Sequence, residues 1–199
     1  MYFLKVRQPL CLKETSPTMH SLTGQKIKLR ALELSDLDDL YLIENNESFW
    51  LDSHTQKPYS KHLLKQYIQN SHLDIYEAKQ LRFVIESLDT SKVVGLVDLF
   101  DFDPKHLRAG VGIVILPSAQ QKGYATESLE LLHHYACQHL HLHQLYANII
   151  SNNQISQALF TKLHYTHTGT RKKWIRDGNT FKDVAFYQLF LPSLPHYTS

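Results

Sequence analysis

Apolar positions along the chain change their spacing from two to three-or-four and back, and each change marks an element. In KIKLRAL (26–32), Ile27, Leu29 and Ala31 alternate with basic residues, which predicts a half-exposed strand. A helix should follow, with Ser35 and Asp38 spaced as a capping pair and Leu37, Leu40, Tyr41 and Ile43 at helical intervals. Residues 45–59 are polar, aromatic and punctuated, and read as a loop or a broken helix. Ser60 then caps KHLLKQYIQNSH, whose Leu63, Leu64, Tyr67 and Ile68 form one apolar face. LRFVIESL (81–88) and VVGLVDLFDFD (93–103), separated by turn residues 89–92, predict a β-hairpin, and AGVGIVIL (109–116) adds a third antiparallel strand.

Past Leu116 the chain crosses Pro117 and a glycine before a longer helix. Ala125, Leu129, Leu132, Ala136 and Leu140 recur there at steps of three and four, while Glu127, Glu130, His134 and Gln138 occupy another face. The strand QLYANII (144–150) follows, then a helix QISQALFTKL carrying Ile155, Leu159, Phe160 and Leu163, then a hairpin turning at Asp177-Gly178-Asn179. A meander that runs into a strand–helix–strand–helix unit specifies an α/β (α+β) fold, with a mixed, mostly antiparallel central sheet flanked by helices.

Composition adds exclusions. The 199 residues, 43% hydrophobic, suit a single domain, assigned to residues 25–192 between an N-terminal extension (1–24) and a tail (193–199). A formal charge of +2 is too small to indicate nucleic acid, and Arg171-Lys172-Lys173 reads as a solvated strand edge. Cys11 and Cys137 fit no zinc or redox spacing, which favours a reducing compartment. Lys5, Arg7, Gln8 and Pro9 interrupt the opening segment, and no apolar run reaches membrane-spanning length; the expectation is a cytoplasmic protein with no membrane partner. His139, His141 and His143 straddle a helix end and a strand start, so no metal is expected; His106, in a loop, is a weaker acid–base candidate.

The stretch QQKGYA (120–125) lies where an apolar strand meets a helix. Such a helix begins with unpaired N–H groups and the positive end of its dipole, so a loop leading into it can hold anionic oxygen. Gly123 clears the approach, Ala125 keeps the first turn small, and Gln120 and Lys122 add donors, which together read as a diphosphate cradle.

A second strand ending at Asn152-Asn153 before a short helix completes an arrangement that resembles the GNAT superfamily of N-acetyltransferases. QQKGYA matches that family's phosphate loop, and its Asn-x-x-Ser-x-x-Leu-(Tyr/Phe)-x-Lys pattern matches Asn153, Ser156, Leu159, Phe160 and Lys162. The resemblance spans about Lys26 to Phe190, and WIRDGNTFKDVAFYQL is similar to the ribosomal-protein and polyamine acetyltransferase branch. It implies acetyl-coenzyme A as co-substrate and no metal. The diphosphate would lie on Gln120, Gln121, Lys122, Gly123, Tyr124, Ala125 and Thr126, and the pantetheine arm would run along the backbone of Ile113, Val114 and Ile115 in a gap between splayed strands. Asn153, Ser156, Phe160 and Lys162 would stand near the cofactor, Asn153 and Ser156 being equally readable as helix-capping groups. The implied reaction is direct acetyl transfer, in a ternary complex, to a primary amine of a small molecule (polyamines included) or of a protein N-terminus. The alternative is a non-catalytic acyl-coenzyme A binding or regulatory module. The outer edge of the final hairpin would suit a homodimer.

Transfer to an amine that is largely protonated at neutral pH calls for a carboxylate or a water chain leading to one, and Asp98 and Asp101 are the candidates, on opposite faces of their strand. The chain departs from the family in four places. DSHTQKPY (52–59) stands where polyamine acetyltransferases carry an acidic cluster. Phe160 replaces a tyrosine whose phenol protonates the leaving thiolate, leaving Tyr124, Tyr146, Tyr165 or water to do so. His164 takes the place of a helix-ending glycine and should adopt a positive φ or another turn shape, and Gly110 replaces a glutamate.

Overall fold

The computed structural model describes residues 22–53, 55–70 and 73–192. The expected extension up to residue 21, Cys11 within it, and the tail from 193 lie outside them. Among the described residues seven strands form one sheet: β1 (Ile27–Arg30), β2 (Leu81–Ser87), β3 (Val93–Asp103), β4 (Arg108–Ile115), β5 (Gln144–Ile150), β6 (Thr166–Asp177) and β7 (Thr180–Phe190), in the order β1-β2-β3-β4-β5-β7-β6. Every neighbouring pair is antiparallel except β4 and β5, as the predicted mixed sheet requires.

Alternation along the strands gives the sheet two buried faces. Ile27, Leu29, Val97, Leu99, Val111, Leu145 and Ala147 pack against Leu129, Leu132 and Ala136 of α5 (Tyr124–Gln138) and Phe160 of α6 (Gln154–Lys162). On the other face Val84 and Leu96 meet Leu40 and Ile43 of α1 (Leu37–Glu44) and Leu64 and Ile68 of α3 (Lys61–Gln69). Residues 45–59 contain a short helix, α2 (Glu47–Ser53), and another single turn, α4 (Ile75–Ala78), precedes β2.

The start of α1 differs from the expected Ser35–Asp38 pair. Leu34–Asp36 form a 3-10 turn, and it is Asp36 that accepts the Glu33 N–H at 2.8 Å while Arg30 donates to its two oxygens at 2.7 and 2.8 Å. Burial alone would raise the Asp36 pKa, but the guanidinium and the N–H hold it below the ordinary carboxylate value. Ser60 caps α3 as read, accepting the Leu63 N–H.

The end of α6 accommodates His164 at φ +67. His164 N–H bonds Thr161 O and Tyr165 N–H bonds Phe160 O, both at 3.0 Å, and the Phe160 and Tyr165 rings meet edge to face at 4.9 Å. This is a Schellman ending with its hydrophobic contact, built with histidine in the left-handed position that glycine usually fills.

Candidate active site

Between β4 and β5 the register stops early. Only Arg108, Ala109 and Gly110 pair, with Gln144, Leu145 and Tyr146; beyond them Ile113, Val114 and Ile115 pair with Val97, Leu96 and Gly95 on one side alone, and Ala147–Ile150 pair with β7 alone. Two facing strand edges therefore diverge and leave N–H and C=O groups that an extended ligand can pair with. The side chains of Ile113 and Ile115 pack into the α5 face and Val114 into the α1 face, so the backbone is what the gap offers.

The open end of this gap leads to the residue 117–123 loop and the start of α5. Gln121 has φ +63 and Gly123, the N-cap, φ +84; among the described residues other than its chain neighbours, a Cβ on Gly123 would meet only Lys26 Nζ within 4 Å, at 3.4 Å. The first turn of α5, from Tyr124 through Ala125 and Thr126, thus starts at a glycine with no side-chain cap, the kind of helix start at which anionic oxygen binds. Lys122 is exposed, and Gln120 donates from Nε2 to Ile115 O at 3.3 Å, tying the loop to the end of β4. Across the gap Asn153 caps α6 by accepting the Ser156 backbone N–H at 3.1 Å, so of the two residues Asn153 is the cap; Lys162 is exposed in the last turn, and Phe160 is buried against Tyr165.

The two candidate acids have different surroundings. Asp98 lies opposite Arg82, which donates to both its oxygens at 2.6 and 3.0 Å, bonds Glu44 as well, and stacks on Tyr67 at 5.5 Å. Asp101 sits in an irregular stretch of β3 with φ +48, and accepts the Tyr146 phenol at 3.2 Å. Tyr146 is the last β5 residue paired with β4, so this contact stands at the vertex of the splay. Burial, then the Asp101 carboxylate, pushes the Tyr146 hydroxyl up to about 12. Gly110 faces the Phe100 ring so closely that a Cβ would fall 2.3 Å from it, so the glutamate that some family members carry at this position does not fit beside Phe100.

Helix α2 and β6 border an open cleft of about 550 Å3 lined by Glu47, Trp50, Leu51 and Gln56 on one side and Trp174 and Arg176 on the other. Trp50 is anchored by its Nε1–H to Glu44 O at 3.0 Å. Trp174 is presented by a bulge in β6 that Asp183 pins through Lys172 Nζ at 2.8 Å and Lys173 N–H at 2.7 Å, and Arg171 stacks over it at 5.2 Å. His139 and His143 turn towards different aromatic partners, Tyr135 and Phe190. Tyr165 is buried and bonded to His133 Nε2 at 3.0 Å, away from the candidate acids.

Sequence reasoning missed Arg82, Glu44 and Lys26. Arg82 had a partial signal in the predicted hairpin, but a bulge at Ile85/Glu86 shifts the register and places it opposite Asp98 rather than Val97.

Residues 26–166 match the family model described as an acetyltransferase (GNAT) domain. Spermidine N(1)-acetyltransferase of Escherichia coli K12 is 31% identical over 156 residues, 77% of each chain, and that of Vibrio cholerae is 28% identical over 164 residues, 81% of this chain and 91% of the relative. Among solved structures, spermidine N-acetyltransferase from Vibrio cholerae in complex with CoA and spermine superposes with a TM-score of 0.75 at 25% identity, covering 83% of this chain and 95% of that one. A dodecameric structure of the Vibrio cholerae enzyme gives 0.70 at 27% identity, covering 83% and 94%.

Proposed function

The chain belongs to the GNAT acetyltransferase family and is an N-acetyltransferase related to the spermidine N-acetyltransferases, and from that premise we propose that it carries an acetyl group from acetyl-coenzyme A directly to a primary amine of a small molecule, polyamines foremost. The observation that carries this reading is the alignment of an open diphosphate cradle at Gly123 with the splay of β4 from β5. Acetyl-coenzyme A supplies the acyl group as a thioester. Gln121 to Thr126 hold its diphosphate at the helix start, and the free backbone edge at Ile113, Val114 and Ile115 pairs with the pantetheine amides.

Asp101 is the group assigned to the acceptor nitrogen. Its Oδ2 is shared with Tyr146 and it is exposed at the vertex, so it can pair with an ammonium and take the proton that must leave before attack. Asp98, with both oxygens on Arg82, has its charge paired and holds β3 against β2 three residues before Asp101. Tyr146, with its hydroxyl pushed up to about 12, keeps its proton and orients Asp101, and the thiolate, whose conjugate acid lies near ~8.5, departs as the anion and equilibrates with solvent protons after release. In the cleft between α2 and β6, Arg176 lines one wall and Arg171 already stacks on Trp174, which leaves Glu47 and the Trp50 ring as the groups there that suit the rest of a cationic acceptor. Among the described residues β6 is the outermost strand of the sheet, and its outer edge supports self-association.

Thiol release tests the reading. Acetyl-coenzyme A with spermidine, spermine, simple diamines and a peptide with a free N-terminus should give free coenzyme A most rapidly with a small amine. The replacement of the family tyrosine by buried Phe160 favours a second reading, a binding module; it predicts coenzyme affinity with no thiol release for any amine.

A further inference from the structure

Resting on the coenzyme site just described, we propose that Lys26 is a further diphosphate-binding residue, delivered to the start of α5 by the chain that leads into β1. No glycine-loop pattern contains it, since it lies about a hundred residues upstream of the loop. Its Nζ nevertheless donates to Lys122 O at 3.1 Å and, among the described residues other than the two chain neighbours of Gly123, is the group that a Cβ on Gly123 would meet, at 3.4 Å.

The backbone builds this placement. Leu29 N–H bonds Leu22 O at 2.7 Å, Gly24 N–H bonds Ile27 O at 2.8 Å, and Thr23 bridges Lys28, so residues 22–28 fold into a tight strap against the sheet edge. At its tip Glu127, in the first turn of α5, accepts the N–H groups of both Gln25 and Lys26, the latter at 3.0 Å. Gly24 makes room for this, because a Cβ there would fall 2.0 Å from Glu127 Oε1. Glu127 suits the helix dipole but would repel a diphosphate at the same end. Two N–H donors draw its charge towards the strap, and the Lys26 ammonium returns a positive charge to the cradle beside Lys122. Lys26 is therefore a ligand residue and Glu127 its positioning residue.

The test is the affinity of the full chain and its Lys26→Met variant for coenzyme A, 3′-dephospho-coenzyme A and pantetheine, by calorimetry. Lys26 is exposed, so the variant should keep the melting temperature of the parent. Dissociation constants for both diphosphate-bearing probes should rise about 10-fold, equivalent to about 1.4 kcal/mol. The constant for pantetheine should not move, Lys26→Arg should recover most of the loss, and the difference should shrink at high salt. Unchanged coenzyme A affinity in Lys26→Met would overturn the proposal. So would a loss confined to coenzyme A, which would place the lysine on the ribose phosphate, or an equal loss with pantetheine, which would make the effect structural. If the parent chain bound none of the probes, the coenzyme site itself would fall and this inference with it.

Discussion

Arg82 holds both carboxylate oxygens of Asp98, whereas Asp101, three residues further along β3, accepts a single phenolic hydrogen from Tyr146. The two acids should therefore fail differently when neutralised. Asp98→Asn leaves a half-buried guanidinium with Glu44 as its remaining carboxylate and should lower unfolding free energy by about 1–3 kcal/mol. Asp101→Asn should leave stability close to the parent and reduce kcat/KM about 100-fold, as expected for loss of a proton acceptor. Urea denaturation and thiol-release kinetics on both variants separate the roles; the reverse pattern would move the base to Asp98.

Gly110 and Phe100 form a complementary pair at the vertex. Gly110→Ala brings a methyl group within 2.3 to 2.8 Å of the ring and should cost about 1–3 kcal/mol, much of it regained when Phe100→Leu is added. A double-mutant cycle with no coupling would contradict the packing described.

Helix α6 ends on His164 at φ +67, a conformation glycine adopts without a Cβ penalty. His164→Gly should stabilise the fold by about 0.5–1 kcal/mol in urea, with the Phe160–Tyr165 contact intact. A loss of stability would mean that the imidazole makes a larger contribution than the turn strain it causes.

His133 gives stability a pH dependence. Burial pushes its imidazole down to about 3, against an ordinary value of 6.5, so between these values the unfolded chain binds a proton that the folded chain does not. Its contribution is complete above pH 6.5 and is lost as pH falls, with a slope approaching about 1.4 kcal/mol per pH unit. His133→Gln should remove this slope between pH 6.5 and 5, a window above the lowered carboxylate pKa values of Asp36 and Glu86. Identical slopes for parent and variant would show that the imidazole titrates freely in the folded chain.

Local pattern carried the element order, because the apolar spacing of β2, β3 and α5 records which side each residue buries. It also marked the glycine loop and the unusual histidine after α6, both of which depend on backbone shape within a few residues. What it could not carry were contacts set by pairing at a distance. The Arg82–Asp98 pair depends on a one-residue bulge, the splay on where β4 and β5 stop pairing, and Lys26 on a strap folded over a helix about a hundred residues later. Helix α4, at four residues, is too short to show a period. The start of α1 went to Asp36 rather than Ser35 because Arg30 from the neighbouring strand rewards the carboxylate.

The most direct measurement is coenzyme A binding by calorimetry to the parent, Gly123→Ala and Gly123→Glu. Both variants place a side chain at φ +84 and share that backbone strain, so their melting temperatures should fall together, and the glutamate alone adds bulk and negative charge beside Lys26 in the cradle. The expected result is binding by the parent, a modest weakening in Gly123→Ala and a loss of at least ~100-fold in Gly123→Glu, about 2.7 kcal/mol. Equal affinity in the two variants, or no binding by the parent, would contradict a diphosphate seat at the start of α5.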